Sequence, residues 1–182
     1  MLARRLIIII LVSAAHACAM TLQPAGCKVD PQRCMGKWFV QRAIPAVKAL
    51  EKNAHNGVEI YEWDAENERV EVTYTFNARS FEGPQRTVKQ RGWIQDESGS
   101  RWAVAPEIAG FGLPVKLPFI IIAVDDTNYS YMTCTGGLNS WLYIMTRDMK
   151  PDPATVQKLE EEVENLGFDM SKVISMPHQD QP

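Results

Sequence analysis

The sequence predicts an all-β protein: an eight-stranded antiparallel up-and-down β-barrel with one C-terminal α-helix packed on the outside. Between residues 37 and 146 the chain consists of short runs rich in Val, Ile, Tyr, Trp and Thr, separated by turn residues. No segment in this region is long enough at helical period to interrupt them. Repeated strands at this spacing are typical of a sandwich or a barrel. With 182 residues, 46% of them apolar, the chain can build one sizeable core.

Eight strands are predicted, and the connections between them differ in length. The predicted strands cover residues 37–43, 58–64, 69–77, 86–95, 101–105, 119–124, 129–135 and 140–146. The tight polar turns are 64–67, 96–99 and 125–128, and the long connections are 44–57, 78–85 and 106–118. In an up-and-down meander the tight turns gather at one end. The barrel should therefore have a closed end and an open mouth, with room inside for side chains or one small ligand.

A helix is predicted after the last strand. Asp152 can cap it, Pro153 suits its first position and Gly167 can end it. Its apolar stripe comprises Val156, Leu159, Val163 and Leu166. In the last strand, Trp141, Tyr143 and Met145 share one face, and Leu142 and Ile144 share the other. If the first set faces the interior, the second set can receive the helix.

The N-terminus has the pattern of a secretory signal peptide. Two basic residues are followed by an apolar run and then by small residues within 1–19, with cleavage expected near 17–19. The mature chain would then have an N-terminal arm at 20–35, a barrel domain at 36–176 and a polar tail at 177–182. Cys18 leaves an alternative open, in which it is acylated and anchors the domain to a membrane.

Several function classes find little support in the sequence. The formal net charge of -3 offers no basic surface for nucleic acid. After processing only His55 and His178 remain, and neither lies in a Ser/His/Asp or Cys/His arrangement. No cluster has metal-ligand spacing. No catalytic residue, metal or cofactor is predicted, and the protein is not expected to be an enzyme.

Three sequence blocks resemble the conserved regions of the lipocalin family. They are Gly36-Lys37-Trp38 at the first strand, the turn from Asp125 to Tyr129, and Arg147 after the eighth strand. The match is closest to the apolipoprotein D, bacterial outer-membrane and plant lipocalin branch, and it runs from about residue 29 to residue 174. The second block departs from the family pattern because no Thr-Asp-Tyr is contiguous. The blocks have a structural reading: Arg147 stacked on Trp38 would plug the closed end.

The resemblance implies a hydrophobic ligand site inside the barrel, with pocket aromatics at Tyr61, Phe119 and Tyr143. Strand parity adds Trp141 and Met145 beside Tyr143. The alternative for all these residues is plain core packing. Parity also gives one apolar face to Val70, Val72, Tyr74 and Phe76, and Trp93 and Trp102 complete the candidates.

The connections at the mouth are apolar. The 106–118 loop carries more apolar residues than a solvated connection needs, so it could guard the cavity, contact a membrane or fold back over its own strands. Residues 46–56 could form a short helical lid.

The resemblance further implies a disulfide between Cys27, on the N-terminal arm, and Cys134. Pairing of Cys34 with Cys134, or of Cys27 with Cys34, stays open.

The expected function is that of an exported lipocalin that carries or stores a fatty acid, a lysophospholipid or a similar lipid. A lipocalin-fold enzyme acting on a lipid or pigment is one alternative. Another is a membrane-tethered lipoprotein that protects envelope or plastid lipids. The expected location is secreted or extracytoplasmic, with a membrane anchor or a plastid reached through the secretory route as alternatives.

Overall fold

The computed structural model describes residues 26, 28–46, 48–108, 111–112, 114–137 and 140–180. The predicted signal peptide, Cys18 and Cys27 lie outside these residues. The strands are β1 Gly36–Ile44, β2 Ala54–Asp64, β3 Arg69–Ala78, β4 Gln85–Ile94, β5 Arg101–Ile108, β6 Phe111–Gly112, β7 Leu117–Val124, β8 Tyr131–Thr135, β9 Leu142–Thr146 and β10 Ile174–Ser175. The α-helices are α1 Lys48–Glu51 and α2 Pro153–Asn165, and 3-10 turns cover Pro31–Cys34 and Met170–Lys172.

Eight of these strands form a closed antiparallel barrel, as the sequence predicts. Each pairs with its neighbour in the order β1-β2-β3-β4-β5-β7-β8-β9, and β9 returns to pair with β1. The short strand β6 pairs with the end of β5, and β10 pairs with β1. Closure satisfies the backbone groups that an edge strand would expose.

The period-two alternation correctly predicts which side chains of a strand face the barrel interior. On β3, Val70, Val72, Tyr74 and Phe76 are all buried in the barrel core, and the residues between them are only half-buried. Successive side chains on a strand point to opposite faces, so an alternating pattern marks one face as the interior. On β9 this alternation sends Tyr143 inward and the residues on either side of it outward.

Helix α2 packs on the outside of the barrel, where its apolar stripe predicts it. The Asp152 carboxylate accepts a hydrogen bond from the backbone N–H of Ala154, which caps the helix. Gly167, with φ of +87°, follows the last turn. Leu159 and Val163 form a second apolar cluster with the outward face of β9, and three other strands contribute to it. Its strand members are Leu142, Ile144, Ile44, Ile120, Ile122 and, partly buried, Tyr131.

The closed end is built around Arg147. Its guanidinium carbon lies 3.6 Å from the centroid of the Trp38 ring, which is the predicted stack. The guanidinium also donates hydrogen bonds of 2.8 Å to the backbone carbonyls of Arg33, Met35 and Lys37. Gly36 has φ of +93°, a conformation that glycine adopts without strain, and this brings the chain against Arg147.

The 3-10 turn before β1 covers the same end of the barrel. Asp30 N donates to the Tyr129 hydroxyl at 2.7 Å, and Val29 N donates to Ser98 O at 2.8 Å. The Arg33 guanidinium lies over the Tyr129 ring at 4.1 Å. Two of the tight turns therefore meet at the closed end, as the meander predicts.

Tyr129 was predicted in a strand, but it lies in the turn before β8. Its φ is +54°, so the chain reverses there and β8 begins only at Tyr131. The Asp125 carboxylate holds this turn by accepting hydrogen bonds from the backbone N–H groups of Thr127, Asn128 and Ser130. The side chain of Tyr129 still reaches the closed end and is 4% exposed.

Two segments that the sequence predicts as part of a connection and as a polar tail make contacts with the barrel. Strand β2 begins at Ala54, because residues 54–55 pair with the end of β3 across a bulge. The predicted polar tail is bound to the barrel as far as Gln179. His178 Nε2 lies 2.8 Å from Val40 O, and Gln179 N donates to Asn56 Oδ1 at 3.0 Å. Met176 is 1% exposed and fills space beside Gly57, where a Cβ would collide with its sulfur.

Candidate ligand-binding site

A cavity of about 680 Å³ lies inside the barrel, towards the end opposite Arg147. Strands β2, β3, β4, β5, β7 and β9 all contribute to its wall, and α1 and the β8–β9 connection lie at its mouth. A volume of this size falls in the range of small-molecule sites in proteins. The lining residues are mostly apolar and aromatic: Ala46, Glu51, Glu59, Val72, Tyr74, Phe76, Val88, Gln90, Trp102, Val104, Pro106, Glu107, Leu117, Pro118, Phe119, Gly136, Gly137, Ser140, Trp141 and Tyr143.

Five of the seven residues predicted from sequence to bind a ligand line this cavity. They are Phe119, Tyr143, Trp141, Tyr74 and Phe76. Trp102, an additional candidate, also lines it and is 2% exposed. The structure thus brings these side chains to one cavity; whether they bind a ligand stays a prediction.

Tyr61 and Met145 are not among the lining residues, although both are buried. Tyr61 lies opposite Gly36, whereas Glu59, two residues before it, lies opposite Trp38 and lines the cavity. Met145 likewise lies two residues nearer the closed end than Tyr143. Both side chains point inward but belong to the packed layer beneath the cavity floor. Alternation along a strand shows which face a side chain lies on, but it does not show how far that side chain lies from the closed end of the barrel.

Trp93, the remaining candidate, does not line the cavity. It is half-buried, and Lys116 Nζ lies 4.1 Å from its ring centroid. The neighbouring Gly92 is packed against Trp102 and Val104 on the inner face, so Trp93 lies on the outer face of β4.

The aromatic residues form a continuous belt around the inner wall. Trp102 and Phe119 are stacked, with centroids 5.2 Å apart and an interplanar angle of 21°. The belt continues to Trp141, to Tyr143 and to Tyr74, with successive centroids 5.7, 5.4 and 5.6 Å apart. Such a belt offers a large apolar surface with few rotatable bonds.

Two buried carboxyl groups face the cavity, and sequence reasoning overlooked both. Glu59 is 2% exposed and accepts a hydrogen bond from the Tyr61 hydroxyl. Glu51 is 4% exposed, and its Oε2 lies 2.5 Å from the Tyr143 hydroxyl and 3.3 Å from the Tyr74 hydroxyl. The period-two pattern that selected Tyr61 places Glu59 on the same face, so that signal could have found it. Nothing in the local sequence points Glu51 inward.

Burial controls the protonation of the groups around Glu59. It raises the pKa of the Glu59 carboxyl to about 7; the hydrogen bond from Tyr61 opposes this rise, and the nearby Glu51 charge adds to it. Burial also raises the pKa of Tyr61, Tyr74 and Tyr143. The Glu59 charge adds to all three rises, and the Glu51 charge adds to those of Tyr74 and Tyr143. These hydroxyls therefore stay protonated at neutral pH and act as donors to the carboxylates.

A third carboxyl, that of Glu107, lies at the mouth and forms an ion pair. Its Oε1 is 2.5 Å from Arg91 Nε, and Arg91 does not line the cavity. The mouth also exposes apolar side chains, since Val115 is 46% and Leu117 47% exposed. Leu117 and Pro118 of the predicted apolar loop line the cavity, and α1 supplies one turn of the predicted lid.

The two described cysteines, Cys34 and Cys134, are buried free thiols. Burial raises the pKa of the Cys34 thiol to about 12 and that of Cys134 well above its ordinary value. Such thiols are poor nucleophiles at neutral pH. Because Cys27 lies outside the described residues, its pairing with Cys134 stays a prediction.

In the part of the chain that the structure describes, no group of three His, Cys, Asp or Glu side chains is placed to hold a metal ion. No helix in that part is long and apolar enough to cross a membrane.

The fold and the site define a class: a closed eight-stranded antiparallel barrel with an internal cavity of ligand-binding size. A family model for the lipocalin-like domain matches residues 29–178. This protein therefore belongs to the lipocalin family, as its three sequence blocks indicate. The finer assignment to the apolipoprotein D branch stays a prediction. No curated protein matches the sequence significantly.

Solved structures with the same fold include several arthropod lipocalins. Insecticyanin from the tobacco hornworm Manduca sexta is 13% identical, with a TM-score of 0.64 and coverage of 87% of this chain and 90% of that one. The cockroach allergen Per a 4 is 14% identical, with a TM-score of 0.63 and coverage of 88% and 96%. Lobster apocrustacyanin A1 is 15% identical, with a TM-score of 0.61 and coverage of 86% and 91%. At such low identity these likenesses show the fold alone.

Proposed function

We propose that this lipocalin is an exported binding protein that carries or stores one small hydrophobic ligand of the lipid class inside its barrel. The observation that carries the proposal is the cavity of about 680 Å³ with its aromatic wall. The expectation from the sequence was a fatty acid, a lysophospholipid or a similar molecule. Apolar burial would supply most of the affinity, and the polar groups at the cavity floor would orient the ligand.

Export is the part of the proposal that rests on sequence alone. The basic, apolar and small residues of 1–19 follow the order of a secretory signal peptide. The mass of the mature N-terminus tests this part, because removal of the leader leaves a chain that begins near residues 18 to 20. An acylated Cys18 would instead assign the protein to membrane-tethered lipoproteins.

Native mass spectrometry of the purified protein, followed by lipid extraction, tests the carrier function. We expect a bound molecule of lipid mass, or uptake of an added lipid at one equivalent. A barrel that is empty and rejects fatty acids, fatty alcohols, lysolipids and fatty amines alike would overturn the proposal.

A matched pair of variants links binding to the cavity. Val88 lines the cavity from β4, and the adjacent Thr87 is exposed. Val88→Trp should fill part of the cavity and lower ligand affinity by roughly tenfold or more, because the added ring takes the ligand's volume. Thr87→Trp adds the same ring outside and should leave affinity unchanged. Equal affinities for the two variants would place the ligand elsewhere.

A further inference from the structure

The cavity contains buried carboxyl groups but no cationic side chain among its described lining residues. Glu59 and Glu51 lie at its inner surface with exposures of 2% and 4%. An ionised carboxylate in an apolar site is costly unless it is paired with a cation. For Glu59, the lack of a cation in the described lining bears on the chemistry of the ligand.

Glu107 shows what a compensated carboxyl looks like in the same cavity. Its Oε1 lies 2.5 Å from Nε of the cationic Arg91. Among the described residues, the side-chain partner of Glu59 is the Tyr61 hydroxyl, which is neutral. The raised pKa of Glu59 is the expected response of a buried carboxyl that lacks a cation.

The aromatic belt suits a positive charge as well as an apolar chain. Trp102, Phe119, Tyr74 and Tyr143 all line the cavity. The face of an aromatic ring attracts an ammonium group, and the attraction is stronger when the pair is desolvated. A ligand carboxylate, by contrast, would add negative charge beside Glu59, which has a neutral hydroxyl as its described side-chain partner.

We propose that the ligand is a hydrophobic amine, whose protonated nitrogen binds Glu59 beside Glu51 and whose apolar body lies along the aromatic belt. This inference rests on the proposed carrier function and names the chemical class of the ligand. The amine supplies the cation that the Glu59 carboxyl lacks, and hydrogen bonds from tyrosine hydroxyls fix the positions of both carboxyl groups.

Three probes of equal chain length test the proposal: dodecylamine, dodecanol and dodecanoic acid, titrated calorimetrically into the mature protein at pH 8. At this pH the Glu59 carboxyl is mostly ionised and the amine is charged. We expect the amine to bind at least roughly tenfold more tightly than either other probe. If the acid or the alcohol binds as well as the amine, the amine proposal fails and the carrier function stands. If no probe binds, both fail.

Two glutamates of β2 provide a matched pair of variants. Glu59→Gln removes the charge but keeps the shape and should lower the affinity for dodecylamine roughly tenfold or more, and that for dodecanol much less. Glu62 is exposed on the same strand, so Glu62→Gln should change neither affinity. Unchanged amine binding by a folded Glu59→Gln variant would overturn the proposal.

Glu51→Gln gives a second measurement that does not depend on the folding of the first variant. It should reduce the preference for amine over alcohol, because Glu51 adds negative charge at the same site. Circular dichroism checks that each variant is folded. If Glu59→Gln does not fold, an unchanged preference in Glu51→Gln would count against the proposal.

Discussion

The two ends of the barrel treat charged side chains in opposite ways. At the closed end the Arg147 guanidinium stacks on Trp38 and donates to three backbone carbonyls at 2.8 Å. In the cavity, Glu59 is buried with a tyrosine hydroxyl as its side-chain partner among the described residues. A buried polar group with all its partners rigidifies a fold, whereas one with too few is costly. The closed end is therefore built for stability, and the cavity retains a group suited to binding.

The largest expected effect is at the closed end. Trp38→Ala removes a fully buried ring and the stack on Arg147, and it should lower the free energy of unfolding by about 4 kcal/mol. Urea unfolding measures the loss. Ligand affinity per folded molecule should change much less. An unchanged melting temperature combined with abolished binding would reverse the roles assigned to the two ends.

The next effect is in the cavity and depends on pH. The folded-state pKa of Glu59, about 7, lies above the ordinary carboxyl value of 4.5, so folding is more favourable when this carboxyl is protonated. This contribution is complete below about pH 4.5 and is lost as the pH rises through 7. Glu59→Gln should therefore melt on the order of 5 °C above the wild type at pH 8, and the gain should vanish near pH 4. Thermal unfolding across this range measures it; a gain independent of pH would contradict the assigned titration.

The smallest expected effect is the difference in stability between two glycine-to-alanine variants. At Gly99 φ is +71° and a Cβ would collide with the carbonyl oxygen of Val29, so Gly99→Ala should cost about 1 to 2 kcal/mol. At Gly92, below the cavity, the nearest heavy atoms to a Cβ are 3.6 Å away, so Gly92→Ala should be nearly neutral. Denaturant midpoints of the two variants give the comparison. Equal costs would show that the closed end is no tighter than the wall.

Much of the fold could be predicted because its signals are local. Alternation on β3 identified the inner face, and Asp152, Pro153 and Gly167 bounded the outer helix to within two residues. Strand β10 could not be predicted in this way. It is two residues long, and only its pairing with β1 makes it a strand. Such a segment carries too few residues for a periodic pattern.

The candidate site was predicted less well because it depends on depth and on long-range contacts. Parity put Tyr61 and Met145 inside the barrel, but the boundary between packed floor and cavity follows from how neighbouring side chains fill the space. Glu51 enters through α1, a single turn whose position is set by tertiary contacts with Tyr143 and Tyr74. Propensity alone does not determine such contacts.

The contact between His178 and Val40 spans 138 residues of chain. During synthesis on the ribosome, β1 emerges among the first strands, but its partners β9 and β10 emerge last. Contacts of such long range are slow to form, because the entropy of closing the chain is lost before they are made. Until then β1 has an unpaired edge. The barrel should thus close only after β9 has been synthesised, and a chain truncated before residue 142 would leave this edge of β1 unpaired.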